Sequence, residues 1–270
     1  MSDYELVHAY ETVNLQRAGG AARVELNRPD KRNAWDATLS RDLKDALSRV
    51  REDETLRAVL LTGAGKGFCS GADLSAGFDP TPDGTPDLRT SLHERYHPVI
   101  LGLRSLPKPV VAAVNGAAAG VGCSLALAAD LVLAAESAYF LLAFVNIGLV
   151  PDGGSSAFIP TRVGLARATE MAMLGERIGA AKALEWGLVN AVHRDEELLP
   201  AADALVARLA AGPTRAYAGA KRQLNAWCFG GLEAQLALEA DIQQEQAGSA
   251  DFVEGATAFL QKRAPQFTGR

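Results

Sequence analysis

Cysteine is scarce. Cys69, Cys123 and Cys228 are the only thiols in 270 residues. So few, and so far apart, they support neither a disulfide framework nor a zinc site, and each reads as a small buried residue. Basic charge is also short, with 27 lysines and arginines against 32 acids for a net charge of −5. A surface of that balance holds no general attraction for nucleic acid or an anionic membrane, so a polyanionic ligand needs a local basic patch. Long apolar runs are missing as well. Residues 109–135 are apolar but carry Asn115, three glycines and Asp130, which argues against a membrane span. The N-terminus has acids and lacks a long apolar core, so no signal peptide is expected and the chain reads as soluble and cytoplasmic. There is no fixed-period repeat and no low-complexity tract.

What is present is enough apolar residue, 48 %, for a sizeable core in one large domain or two. "ARVELNR" alternates as a half-buried strand does, while "LRAVLLTG", "PVVAAVNG" and "DLVLAA" are short apolar runs closed by turn residues. Asp36 opens a helix carrying Leu39, Leu43, Leu47 and Val50 at helical spacing. A second helix is expected over about 121–129. From about Ala166 the pattern turns mainly helical, with segments 197–211, 214–228, 232–247 and 251–263 each reading as helices and "LVNAVHR" as a short strand. The plan is α/β, with a core over 1–195 and a helical region over 196–270. The stretch 75–90 is rich in Pro, Gly and Asp; it is expected as a surface loop, with a lid over a pocket as the functional alternative.

Two glycine-rich turns stand out. In "LLTGAGKGFCSGADL", the glycines suggest a nucleotide-binding loop only weakly, because Lys66 is followed by Gly67 rather than the Ser or Thr of a P-loop. No apolar helix follows the glycines directly, which also removes the dinucleotide fingerprint. In "VNGAAAGVGCSLALAAD" the chain passes from strand to helix, and the first amides of that helix, Val121 among them, are unpaired donors at a positive dipole end. Amides from the two turns could converge on one oxygen, or the small residues could serve only close packing. "NIGLVPDGGSS" poses a related choice. Asp152 is the only charged residue between Glu136 and Arg162, and Pro-Asp-Gly-Gly is first of all a turn signal.

Five motifs, "LNRPDKRNAW", "GKGFCSGADL", "PKPVVAAVNGAAAGVGCSLALAAD", "NIGLVPDGGSS" and "AKALEWGLVN", appear in the order that resembles the crotonase, or enoyl-CoA hydratase/isomerase, superfamily. The resemblance runs from about residue 6 to the C-terminus. It implies a crotonase-like spiral of ββα units, a C-terminal helical trimerisation region and acyl-CoA thioester substrates. The expected assembly is a homotrimer or a dimer of trimers, without nucleic-acid or membrane partners. No metal or cofactor is implied, since coenzyme A is part of the substrate. Carried over by position, the N–H groups of Ala72 and Val121 form the oxyanion hole.

The departures are as informative. Hydratases of this superfamily hold water between two glutamates, and the matching positions here are Ser124 and Phe144. One carboxylate, Asp152, remains. It stands where the isomerase branch, whose members rearrange ring epoxides of phenylacetyl-CoA or shift Δ3,Δ2 double bonds, places its base. One carboxylate is sufficient to move a proton between two carbons. Phe140, Leu142, Phe144, Ile147 and Leu149 are expected around it, raising its pKa by desolvation. A related aryl-CoA dehalogenase uses an aspartate of this stretch as a nucleophile beside a tryptophan; Phe144 stands at that position here. The same residues are compatible with an enoyl-CoA hydratase that uses Asp152 and water in an unorthodox site, or with a non-catalytic acyl-CoA-binding subunit. The resemblance further points to Arg28, Lys31, Arg32 and Lys66 as the basic patch for CoA, with Ala34, Gly71, Asp73, Leu74, Gly120 and Phe144 about the thioester. Phe259 and Lys262 match positions that contact CoA of a neighbouring subunit. His93 and His97, four residues apart, lack the carboxylate of a metal-binding helix motif and read as surface or lining side chains. Ser124 reads as a small helix-face residue, with a bond to Asp152 or water as the alternative.

Overall fold

The computed structural model describes residues 4–270; Met1–Asp3, within the expected core region, lie outside the described residues. The strands are β1 (Glu5–Ala9), β2 (Val13–Ala18), β3 (Ala21–Leu26), β4 (Ala58–Gly63), β5 (Gly67–Cys69), β6 (Val110–Val114), β7 (Ala117–Ala119), β8 (Leu131–Ala135), β9 (Tyr139–Leu141), β10 (Ile178–Gly179) and β11 (Ala191–His193). They form two sheets. The larger has the order β1-β2-β3-β4-β6-β8-β11, and the smaller β10-β9-β7-β5. The first three strands are an antiparallel meander, and from β3 onward the large sheet is parallel. Every residue of β4 and of β6 is buried, as strands covered on both faces must be.

The spiral follows from how strands pair off. β4, β6 and β8 enter the large sheet; β5, β7 and β9, each following within a few residues, enter the small one. A helical segment then returns the chain to the next turn. The expected α/β spiral is therefore present, but its small sheet was not legible. Gly-Phe-Cys and Ala-Ala-Ala are too short to carry a period, and their glycine-rich surroundings read only as turns.

Helix Ala37–Glu52 is the one Asp36 opens: the Asp36 carboxylate accepts from the Leu39 N–H at 2.8 Å, and Leu39, Leu43, Leu47 and Val50 are buried. Helix Val121–Leu127 ends two residues short of expectation, and the final helix, Ala250–Gln261, stops before Lys262, which takes a left-handed conformation (φ 57°). Helix Asp195–Ala211, which opens the C-terminal helical region, packs across β4, β6 and β8 of the core. The 75–90 stretch is not wholly a polar surface loop. Leu88 is buried and opens a helical segment, and the Phe78 ring lies 6.1 Å from that of Phe252. Helix Thr214–Phe229 buries only Lys221, whose ammonium reaches Asp130 at 2.8 Å; Leu224 and Trp227 stay exposed, Trp227 by 89 %. Among the described residues no helix is long and apolar enough to cross a membrane.

Candidate active site

β5 and β7 are parallel neighbours, so the residues that follow their C-terminal ends lie side by side. This is what brings two turns some fifty residues apart into contact. Gly71 has φ +96°, and a Cβ there would sit 2.9 Å from the Ala119 carbonyl oxygen, so a side chain would hold the turns apart. Trp35 brackets Ala72: its N–H donates to the Gly71 carbonyl (2.7 Å) and its carbonyl accepts from the Asp73 N–H (3.0 Å). The Ala72 N–H between them has no acceptor among the described residues, and neither does the N–H of Val121, first residue of its helix. Both residues line one cavity of about 280 Å³. Two unpaired amides in one apolar cavity can hold an oxygen on which negative charge develops.

β9 lies on the other side of β7, and the chain leaving it supplies the next wall. Phe144, Ile147 and Leu149 line the cavity, as do Leu74, Leu92 and Tyr96. Asp152 is the one carboxylate among the described lining residues. It is buried, and its side chain makes no local turn bond. Instead Oδ2 accepts from Gln243 Nε2 at 2.7 Å, and Oδ1 has no partner. The local bonds are made by its backbone carbonyl, which accepts from the Ser124 and Ser155 hydroxyls at 2.7 and 2.9 Å. Burial pushes the Asp152 carboxyl up to about 8; the Gln243 hydrogen bond opposes that shift and the nearby Glu239 adds to it. A carboxyl poised there can both take and return a proton near neutrality.

The enoyl-CoA hydratase/isomerase family model matches residues 16–270. The chain belongs to the enoyl-CoA hydratase/isomerase family. It is 46 % identical over 262 residues to a probable enoyl-CoA hydratase of Rhodobacter capsulatus, covering 97 % of this chain and 100 % of the relative. It is 44 % identical to 1,2-epoxyphenylacetyl-CoA isomerase of Escherichia coli, covering 93 % of this chain and 96 % of that one. The crystal structure of an enoyl-CoA hydratase from Mycobacterium avium subsp. paratuberculosis matches with TM-score 0.87 and 41 % identity, covering 96 % of this chain and 100 % of the other.

In this member of the enoyl-CoA hydratase/isomerase family the expected residues divide. Ala72, Gly71, Leu74, Gly120, Val121, Phe144, Asp152 and Phe259 line the cavity together. Phe140 and Leu142, expected around Asp152, do not; Phe140 is sealed in the small sheet and Leu142 faces a separate cleft with Ser155 and Ile159. Arg28 is not a free cation. Its guanidinium lies 3.0 Å from Asp36 and 3.1 Å from Asp73 and donates to the Ala34 carbonyl, locking the 28–36 turn to the 71–73 turn. Asp73 and Ala34 are thereby engaged within the chain, and neither lines the cavity. Lys31, Arg32 and Lys66 remain exposed on adjacent turns without ion pairs among the described residues.

Phe259 and Lys262 take different places on the last helix and its end. Gly255 lets the last helix close onto the 145–147 turn, where a Cβ would meet Ile147 at 2.6 Å. The helix thus covers its own chain's cavity, and Phe259 lines that cavity. Lys262 does not line it, while Arg263 reaches the lining and pairs with Glu254 at 2.7 Å. His97 is buried and desolvation pushes it down to about 4; His93 is exposed, and neither lines the cavity. Among the described residues no group of three or more His, Cys, Asp or Glu could hold a metal.

Sequence reasoning missed Gln243 and Glu239. Both are buried on the inner face of helix Leu232–Ala247 with Leu236 and Ala240, one turn apart. A polar pair at i, i+4 on an otherwise apolar face was the only signal. Glu239 accepts from the Gly154 and Ser156 N–H groups at 2.8 and 3.1 Å, and burial pushes its carboxyl up to about 6.

The Asp152 shift has a consequence for stability. Its folded pKa of about 8 lies above the ordinary carboxylate value of 3.8. Below about pH 4 the carboxyl is neutral in both folded and unfolded chains, and its burial carries no charge penalty. Between about pH 4 and 8 the unfolded chain ionises while the folded carboxyl stays protonated, so stability falls by about 1.4 kcal/mol per pH unit and levels off once pH has passed the folded pKa of about 8. Asp152→Asn removes that penalty, so its Tm relative to wild type is expected to climb between about pH 5 and pH 9, by roughly 5 °C or more. A gap that stays flat with pH would mean the carboxyl ionises freely in the fold.

Proposed function

We propose that this chain is an acyl-CoA isomerase working through a thioester enolate, either shifting a double bond or rearranging a ring epoxide. The observation that carries the reading is that Asp152 is the one carboxylate among the described lining residues of a cavity that also presents two unpaired amides. The thioester oxygen sits on the Ala72 and Val121 N–H groups. Ionised Asp152 takes a proton from one carbon, the enolate charge moves onto that oxygen, and protonated Asp152 returns the proton to another carbon. Each amide contributes about 3 kcal/mol to the enolate-like state. Ser124 and Phe144 stand where hydration chemistry would want carboxylates, and Ser124 is occupied with the Asp152 carbonyl. Apolar and aromatic walls from Phe78, Phe144, Tyr96 and Phe259 suit a hydrophobic or aryl acyl group. The exposed cations Lys31, Arg32 and Lys66 suit the CoA phosphates.

The test is the mass of the product from a panel of enoyl-CoA substrates that includes the ring epoxide of phenylacetyl-CoA. Isomerisation leaves the mass unchanged. A product heavier by one water would make the chain a hydratase, and no turnover on any substrate, with binding retained, would make it an acyl-CoA-binding subunit.

Assembly as a trimer or a dimer of trimers is part of the same proposal. Leu165 (77 % exposed), Trp227 (89 %) and Leu224 are large apolar side chains left open on a single chain, and their burial between copies would support the assembly. Light scattering at micromolar concentration is expected to give three or six times the chain mass; a monomer would overturn it.

A further inference from the structure

Helix Leu232–Ala247 grips the Asp152 turn along its inner face. Gln235, Glu239 and Gln243 follow one another at single helical turns. Gln235 Nε2 donates to the Ser156 hydroxyl at 2.9 Å, Glu239 accepts from the Gly154 and Ser156 N–H groups, and Gln243 holds the carboxylate itself. Gln243 is 1 % exposed, and both ends of its amide are used: Oε1 accepts from the Val150 N–H at 3.2 Å while Nε2 donates to Asp152 Oδ2 at 2.7 Å. Turning the amide over would set oxygen against oxygen and nitrogen against N–H, so its orientation is determined by its partners.

An amide N–H can only donate. While that bond lasts, Oδ2 is an acceptor and cannot itself carry the carboxyl proton toward Gln243. Any proton Asp152 holds in this arrangement belongs on Oδ1, which is buried and has no other partner. We propose that Gln243 is a positioning residue: its amide keeps Asp152 Oδ2 as acceptor and leaves Oδ1 as the oxygen that takes and returns the substrate proton. The inference rests on Asp152 being the acid/base of the isomerase reading. The other titratable groups near Asp152 are Glu239 on the same helix and Tyr96 from the cavity lining, and neither hydrogen-bonds its side chain. Glu239 is occupied with the backbone of the turn. Burial and the Asp152 charge both raise the Tyr96 phenol, so it stays protonated through the range of the test.

The test compares wild type, Gln243→Met, Gln243→Glu and Asp152→Asn by the pH dependence of kcat/KM and of substrate-proton exchange into deuterated water. Gln243→Met keeps the volume and removes the donor, so the ionised carboxylate loses its stabilising bond. Its acid limb is expected to move up by about one pH unit, with turnover down about tenfold at about pH 7 and recovering at high pH, and KM little changed. Gln243→Glu places a carboxyl that can share one proton with Asp152, so its acid limb moves down and turnover is rescued near neutrality. Opposite shifts in the two variants support the proposal. Equal loss at every pH with an unmoved limb would overturn it, and if Gln243→Met fails to fold, the limb of Gln243→Glu alone decides. Asp152→Asn separates the two levels: full exchange in that variant defeats Asp152 as the acid/base on which the isomerase reading rests, while a dead Asp152→Asn beside unshifted Gln243 variants defeats only the role of Gln243.

Discussion

Asp152→Asn is expected to fold as wild type does, to bind acyl-CoA with little change, and to lose at least about a hundredfold in turnover, the low end for removing a general base. The fold is preserved because the bonds that shape the turn go to the Asp152 backbone carbonyl from Ser124 and Ser155, and the substitution leaves them in place. An asparagine oxygen can also still accept from Gln243. Binding is preserved because the amides of Ala72 and Val121 and the exposed cations are untouched. Only the proton carrier is lost, and no second carboxylate among the described lining residues can replace it. Ser124→Ala should matter far less: its hydroxyl is spent on a carbonyl, and a serine unaided does not take a proton from carbon near neutral pH. The two variants are compared by isomerase turnover and by exchange of the substrate's α or γ protons into deuterated water. Exchange that persists in Asp152→Asn would mean another group moves the proton.

Val121→Pro is expected to cut kcat/KM by about a hundred- to a thousandfold while leaving the helix intact, because it deletes one oxyanion donor. Val121 is the first residue of its helix, where proline is well tolerated since that N–H has no intrahelical partner. The residue before it, Gly120, has φ 52° and ψ −130°, outside the helical region that proline disfavours in its predecessor. Val121→Ala is the matched comparison, removing the same apolar side chain while keeping the N–H. It should cost some stability, since Val121 is 2 % exposed, but only a small part of the activity. Both proteins are checked by thermal unfolding before kinetics. If proline and alanine reduce kcat/KM equally, the Val121 amide holds no developing charge, and the oxyanion hole would have to be sought elsewhere.

Much of this protein was legible along the chain because the deciding interactions are local. The helix opened by Asp36, the buried parallel strands and the run of C-terminal helices rest on spacing within a few residues. The glycine-rich turns and Asp152 stand out for the same reason. The family resemblance then joined Ala72, Val121 and Asp152 to one chemistry. What the tertiary structure alone decided are pairings between distant positions. Ala72 and Val121 meet because β5 and β7 are adjacent in a sheet whose strands are too short to show a pattern. Gln243 meets Asp152 across 91 residues of chain, so a glutamine on a helix far downstream gave no sign of touching a carboxylate. Arg28 pairs with Asp36 and Asp73, and the second of these lies 45 residues away, a partner no local pattern announces. Phe259 lines the cavity of its own chain because the close approach of Gly255 to Ile147 lays its helix there, a packing no local spacing announces. Residue type and spacing set what each side chain is able to do; which partner it finds depends on how the spiral and its last helices close on one another.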